Sequence, residues 1–183
     1  MIKSRTFLTL GLSLLAAGIT FWAFYSLGAE VASAASTSGG ISMGGSSGSS
    51  AETSKGVFPV KAKVGWGDGL GAGRGHQGQD LMADCRRKIV ASKAGVVRVI
   101  AYQASGAGNY VVVRGTDSKF DYVYMHMIKP PKVKKGQRVK AGDVLGYVGS
   151  TGRSSACHLH FEMWTRPGWY RGGDVSNPTP YLK

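Results

Sequence analysis

At 183 residues the chain has room for one domain of ordinary size. Lys and Arg number 23 against 10 Asp and Glu; residues 1–55 hold only +1 of the net +13 (Lys3, Arg5 and Lys55 against Glu30 and Glu52), so +12 belongs to residues 56–183. A field of that sign attracts anionic polymers whatever their sequence, and nucleic acid is set aside as the polymer because no recognition motif accompanies the charge and an export segment precedes it.

That export segment comes first in the chain. Lys3 and Arg5 are followed by an uncharged apolar run over 7–27, long for a signal-peptide core and just long enough to cross a bilayer as a helix. Phe21, Trp22, Phe24 and Tyr25 gather at its far end, where membrane-interface aromatics sit. Ala32-Ser33-Ala34 has the small residues of a cleavage site. Residues 1–35 are therefore read as a signal peptide or an N-terminal membrane anchor, and either exports the remainder. Residues 36–55, rich in Ser and Gly, are read as a flexible linker spanning roughly 25 Å.

From residue 56 onward, short runs of β character alternate with glycine and charge. Strands are predicted over 57–64, 88–91, 95–102, 109–114, 122–127, 138–139, 144–148 and 158–164. No long helical periodicity interrupts them. The predicted fold of 56–183 is all-β, two packed antiparallel sheets or a small barrel-like sandwich. The closing stretch Asn177-Pro178-Thr179-Pro180-Tyr181 is read as an extended tail over the sheet.

The four histidines fall on these predicted strands or beside them. In Cys157-His158-Leu159-His160-Phe161-Glu162-Met163-Trp164, alternation sends His158, His160 and Glu162 to one face and Leu159, Phe161 and Met163 to the other. An extended 76–80 places His76 and Asp80 on one face with only Gly78 between them. His126 closes the alternating run Tyr122-Val123-Tyr124-Met125-His126-Met127. Taken separately these are ordinary half-buried strands with polar edges. All four histidines in such positions make a metal site the better reading, although alternation alone does not say which of His158 and His160 would be a ligand.

Three motifs in series, H-x-x-x-D at 76–80, Y-x-H at 124–126 and G-x-x-G-S-T-G-R-S-S-x-C-H-L-H-F-E at 146–162, resemble the lysostaphin/LytM-type zinc endopeptidases. The resemblance covers roughly residues 56–165. It implies a LytM-like sheet with a duplicated hybrid motif and a groove above it. The Gly136-Gln137-Arg138-Val139-Lys140-Ala141-Gly142 segment is similar to a hairpin of that family and of biotinyl-type hammerheads, where it is structural.

By motif, the resemblance implies one Zn2+ per domain held by His76, Asp80 and His160, with His158 as general base and His126 as its partner, positioning water or stabilising the oxyanion. Three ligands and an open fourth position are what a catalytic zinc requires. Arg74 and Asn109 are candidates for the groove wall. One departure stands out, since some family members place a tyrosine shortly before the first ligand, and this chain has none between Tyr25 and Tyr102. The implied function is an exported peptidoglycan endopeptidase, secreted, in the cell wall or periplasm, or held at the membrane through 7–27, and expected to be a monomer. A catalytically inactive wall scaffold or amidase activator, and a basic polymer binder with structural zinc, are the two alternatives. Cys85 and Cys157, the only cysteines, are expected to pair in an exported protein. Convergence of Asp80 and His160 on one ion would bring them together.

Overall fold

A computed structural model describes residues 56–183 apart from Arg74; the signal or anchor, the linker and the Arg74 groove assignment lie outside the described residues. The strands are β1 (Gly65–Trp66), β2 (Gln79–Met82), β3 (Lys88–Val90), β4 (Gly95–Gln103), β5 (Gly108–Gly115), β6 (Phe120–Met127), β7 (Arg138–Val139), β8 (Val144–Tyr147), β9 (His158–Thr165) and β10 (Val175–Ser176). A 3-10 turn (Trp169–Arg171) and a short helix, α1 (Thr179–Leu182), follow β9 and β10 respectively. Among the described residues no helix is long and apolar enough to cross a membrane.

The main antiparallel sheet has the order β1-β2-β9-β6-β5-β4-β7, with β10 added alongside the far end of β9, while β3 and β8 form a separate two-stranded sheet. One face of the main sheet carries Val111, Val113, Tyr122, Tyr124, Leu159, Phe161 and Met163, packed with Ile89 and Leu145 of the small sheet. The other carries Tyr110, Val112, Val123, Met125 and Trp164 in a second apolar cluster. Covering on both sides explains why Tyr110-Val111-Val112-Val113 is an unbroken apolar run rather than an alternating one. The all-β architecture expected from the sequence is the one observed.

Two local expectations differ. Residues 57–64 make no continuous strand; Val60 bridges Ile89 and Lys61 N–H reaches Lys88 O at 2.9 Å, but Pro59 has no N–H to extend the ladder. The C-terminal tail is not extended throughout, because Thr179–Leu182 turns into helix. Asn177 Oδ1 accepts from Thr179 N–H at 3.0 Å, proline is tolerated in a first turn, and Tyr181 lies against Tyr122 and Phe161, with ring centroids 5.7 and 6.5 Å away.

Cys85 and Cys157 form a disulfide with Cα atoms 5.2 Å apart across 72 positions of sequence. It ties the β2–β3 connection to the residue immediately before β9. Chain-entropy arguments give a loop of this length about 4 kcal/mol. Replacing both cysteines by serine is expected to lower the melting midpoint by on the order of 15 °C. A calorimetric melt beside the parent protein reads this, and an unchanged midpoint would refute it.

Candidate metal centre

The β9 strand supplies the floor of the site. Its residues alternate as expected, His158, His160, Glu162 and Trp164 on one face, Leu159, Phe161 and Met163 in the core beneath. Strand β2 lies beside it with Asp80 directly opposite His160. Cross-strand partners share a face, and Asp80 Oδ1 is 2.8 Å from His160 Nδ1. Gly78 permits this closeness, since a Cβ there would stand 2.8 Å from His160 Nε2 and 3.0 Å from Glu162 Cγ.

His76 arrives from the turn before β2 rather than from an extended strand. Its backbone N–H bonds Ala72 O and its carbonyl accepts from Gly71 N–H, in a segment where Gly71, Gly73 and Gly75 all have positive φ. Its Nδ1–H donates to Gly69 O at 2.9 Å, so the lone pair is on Nε2, 3.1 Å from Asp80 Oδ1. His126 reaches the site by a different device. Between the pairs Asn109↔Met127 and Val111↔Tyr124 the register of β5 and β6 shifts, so Met125 and His126 together face Tyr110. His126 takes φ 61° at this bulge. Strict alternation would have placed it on the core face with Tyr122 and Tyr124; the extra residue turns it into the groove.

The hydrogen bonds sort the four imidazoles. A carbonyl only accepts, so each ring that touches one carries its proton on the touching nitrogen. His76 donates Nδ1–H to Gly69 O, His126 to Thr151 O at 2.8 Å, and His158 to Ala156 O at 2.9 Å; each presents Nε2. His160 is reversed. Its Nε2 lies 2.9 Å from Glu162 Oε1, whose other oxygen accepts from Trp164 Nε1–H at 2.6 Å, and Nδ1 faces Asp80. His158 Nε2 stands 3.6 Å from the same Asp80 oxygen. The rings of His126 and His158 are 4.7 Å apart.

His76, Asp80 and His160 each offer a donor atom, all within 4.8 Å of one another. The 2.8 and 3.1 Å separations about Asp80 Oδ1 are near the roughly 3.4 Å between ligand atoms of a tetrahedral ion with 2.1 Å bonds. The set fits a divalent ion in donor type, in free lone pairs and in charge. Burial disfavours a charge on His160, but the Asp80 and Glu162 carboxylates more than offset it and push its pKa up to about 9. Burial likewise resists ionisation of Asp80, yet the bond from His160 and the electrostatic influence of the His160, His158 and His76 rings hold its carboxyl below the ordinary range. Burial pushes His126 down to about 4 against the pull of the Thr151 carbonyl, with His158 and His160 adding to the depression, which keeps the ring neutral.

These side chains sit at the bottom of a groove of about 870 Å³ walled by Ala72, Gly73 and Gly75 on one side and residues 152–155 on the other. Asn109 is not part of that wall. It is buried, and its Nδ2 donates to Met127 O at 3.1 Å, fastening the strand just past the bulge. The sequence motifs assign Glu162 a face but no role; its two-position spacing from His160 on a strand is the signal that it can touch that ring.

The chain is similar to known proteins in sequence and in fold. Residues 74–178 match the model of peptidase family M23. The chain is 35% identical over 125 residues to the glycyl-glycine endopeptidase ALE-1 of Staphylococcus capitis, covering 66% of this chain and 34% of that protein. It is 37% identical over 90 residues to the peptidoglycan DD-endopeptidase ShyC of Vibrio cholerae, covering 49% and 20%. The catalytic domain of lysostaphin from Staphylococcus simulans superposes with a TM-score of 0.59 at 30% identity, covering 65% of this chain and 92% of that one. The match spans about a third of the length of the first of these two curated relatives and a fifth of the second.

Proposed function

The chain belongs to peptidase family M23, and from that premise we propose that it is an exported, zinc-dependent endopeptidase that hydrolyses peptide bonds in peptidoglycan stems or cross-bridges. The observation that carries the proposal is the convergence of two imidazole lone pairs and one carboxylate in an open groove, with two further histidines beside them. The relatives named as peptidoglycan DD-endopeptidase and glycyl-glycine endopeptidase supply the substrate class.

His76 Nε2, Asp80 Oδ1 and His160 Nδ1 would hold the zinc. When bound, zinc supplies a Lewis acid that polarises a peptide carbonyl and acidifies water. The chain's own residues handle the protons. His158, its Nδ1–H held by Ala156 O, presents Nε2 as the acceptor of the proton leaving the attacking water. Once protonated, the same nitrogen donates to the departing amine, so one water is consumed and the base is restored. His126 has its proton on Nδ1 and is kept neutral by burial, so its Nε2 accepts a hydrogen bond rather than donating one. That suits orienting the water and does not suit holding an oxyanion.

Zymography of the purified protein on cell walls, with and without a chelator, tests the reading. Clearing that the chelator abolishes is expected. No clearing with zinc bound would favour a wall scaffold instead.

Glu162 positions His160. It is buried and accepts from two donors, His160 Nε2–H and Trp164 Nε1–H. Glutamine has the same size but offers one oxygen and one amide nitrogen, so it satisfies only one of them. Glu162→Gln is expected to weaken zinc binding by about 10–100-fold, read by competition against a graded chelator. Unchanged affinity would remove Glu162 from the site.

A further inference from the structure

The small β3–β8 sheet packs its inner side on the core face of the main sheet, opposite the face that bears His158 and His160. Its outer side carries an ordered row of charge. Val60 pairs with Ile89, and both are buried, so Lys61 stands across from Lys88 on the outward face. Lys88 is paired in turn with Tyr147 of β8. Lys132, whose backbone N–H bonds Leu145 O on the far side of β8, donates its Nζ to Tyr147 Oη at 3.0 Å and lies 4.7 Å from the ring centroid.

Lys61, Lys88, Tyr147 and Lys132 thus lie side by side on four neighbouring chain segments, a row about 14 Å long at sheet spacing. All three lysines are exposed, and none has an acidic partner among the described residues. The nearby acids are otherwise engaged: Asp84 pairs with Arg87 at 2.6 Å, and Asp143 accepts from Lys140 N–H. The Tyr147 phenol is held below its ordinary range by the hydrogen bond and charge of Lys132 and by the charge of Lys88. Because Tyr147 accepts from Lys132, its own O–H is left to donate outward.

The chain that precedes the domain points to an occupant for this face. The segment by which the chain enters the domain is the edge of the same layer: Val57 N–H bonds Ser92 O, and Val90 N–H bonds Pro59 O. Residues 36–55, rich in Ser and Gly, and the apolar run 7–27 lead directly into that edge. A tether of that composition spans roughly 25 Å, so a membrane holding the apolar run would lie within reach of the lysine row.

We propose that the Lys61–Lys88–Tyr147–Lys132 row docks the domain on an anionic phospholipid bilayer. Headgroup phosphates sit between the ammonium groups and accept the Tyr147 O–H, and the groove opens on the opposite side, away from the membrane. Nothing in this depends on the groove being an endopeptidase.

The test is a per-lysine acylation footprint of the full chain, read by mass spectrometry, on phosphatidylcholine vesicles with and without phosphatidylglycerol. Acylation of Lys61, Lys88 and Lys132 is expected to slow about tenfold on the anionic vesicles only, and to recover as salt rises. Lys119, at the β5–β6 turn, should keep its rate. With Lys88→Glu, protection of Lys61 and Lys132 should fall at least about fivefold, the contribution of one basic residue at such a surface. Equal protection on neutral vesicles, protection spread over every lysine, or protection by purified anionic wall polymer but not by vesicles would each overturn the proposal.

Discussion

Replacing His160 or Asp80 by alanine is expected to remove zinc and activity together. Each change leaves two donors of a three-donor set, and two cannot hold the ion with a position left open for chemistry. The loss should exceed the roughly 10–100-fold expected for an outer-shell group such as Glu162. Asp80 carries a second burden, because one of its oxygens lies within 3.6 Å of nitrogens from His76, His158 and His160. Without it, three imidazoles face one another with no counter-charge. Metal stoichiometry measured beside hydrolysis rate is the check. Activity lost with zinc fully retained would show that the residue changed is not a ligand.

His158→Ala and His126→Ala should give the converse pattern. Neither side chain belongs to the donor set, so zinc content should stay at one per chain while turnover falls by a factor on the order of 10²–10⁴. The orientation of the rings motivates the distinction. His158 and His160 share a strand face, but only His160 is turned by Glu162 so that Nδ1 meets Asp80. Should His158→Ala lose zinc and His160→Ala keep it, the roles within the pair are reversed. Wild-type turnover in both variants would leave the groove without a proton acceptor among these rings.

Where a rule of strand geometry applied, the sequence was legible. The β9 strand alternates without interruption, so the faces of His158, His160 and Glu162 and the core placement of Leu159, Phe161 and Met163 follow from period two. The ends of β4, β5, β6 and β8 fall within two residues of those predicted because glycine and charge bound each apolar run. Features set by tertiary context were not legible. Strict period two assigns His126 to the core, and only pairing with β5 reveals the bulge that moves it. Which ring nitrogen is free depends on backbone carbonyls of Gly69, Thr151 and Ala156, and the side-chain identities that make up a motif do not say where a carbonyl points. Asn109, a candidate for the groove wall, is instead buried and tied to Met127 O, a bond between neighbouring strands that the sequence alone does not display. The tail turned helical because a single aromatic, Tyr181, found a place against Phe161.

The β6 bulge has a mutational consequence of its own. Tyr124 and Met127 both belong to the core, and two residues stand between them on the groove side where a regular strand would have one. Deleting Met125 would restore an unbroken ladder, leave both core side chains on their proper face and relieve the backbone at position 126. The imidazole would remain in the groove, displaced by about one strand step of 3.4 Å, too far for the contact it makes with His158. Such a chain, short of one side chain of the second apolar cluster, is expected to fold and to lose turnover. In this architecture activity is exposed to changes of length more than to changes of stability, and a screen that selects only for folded protein would pass the inert version every time.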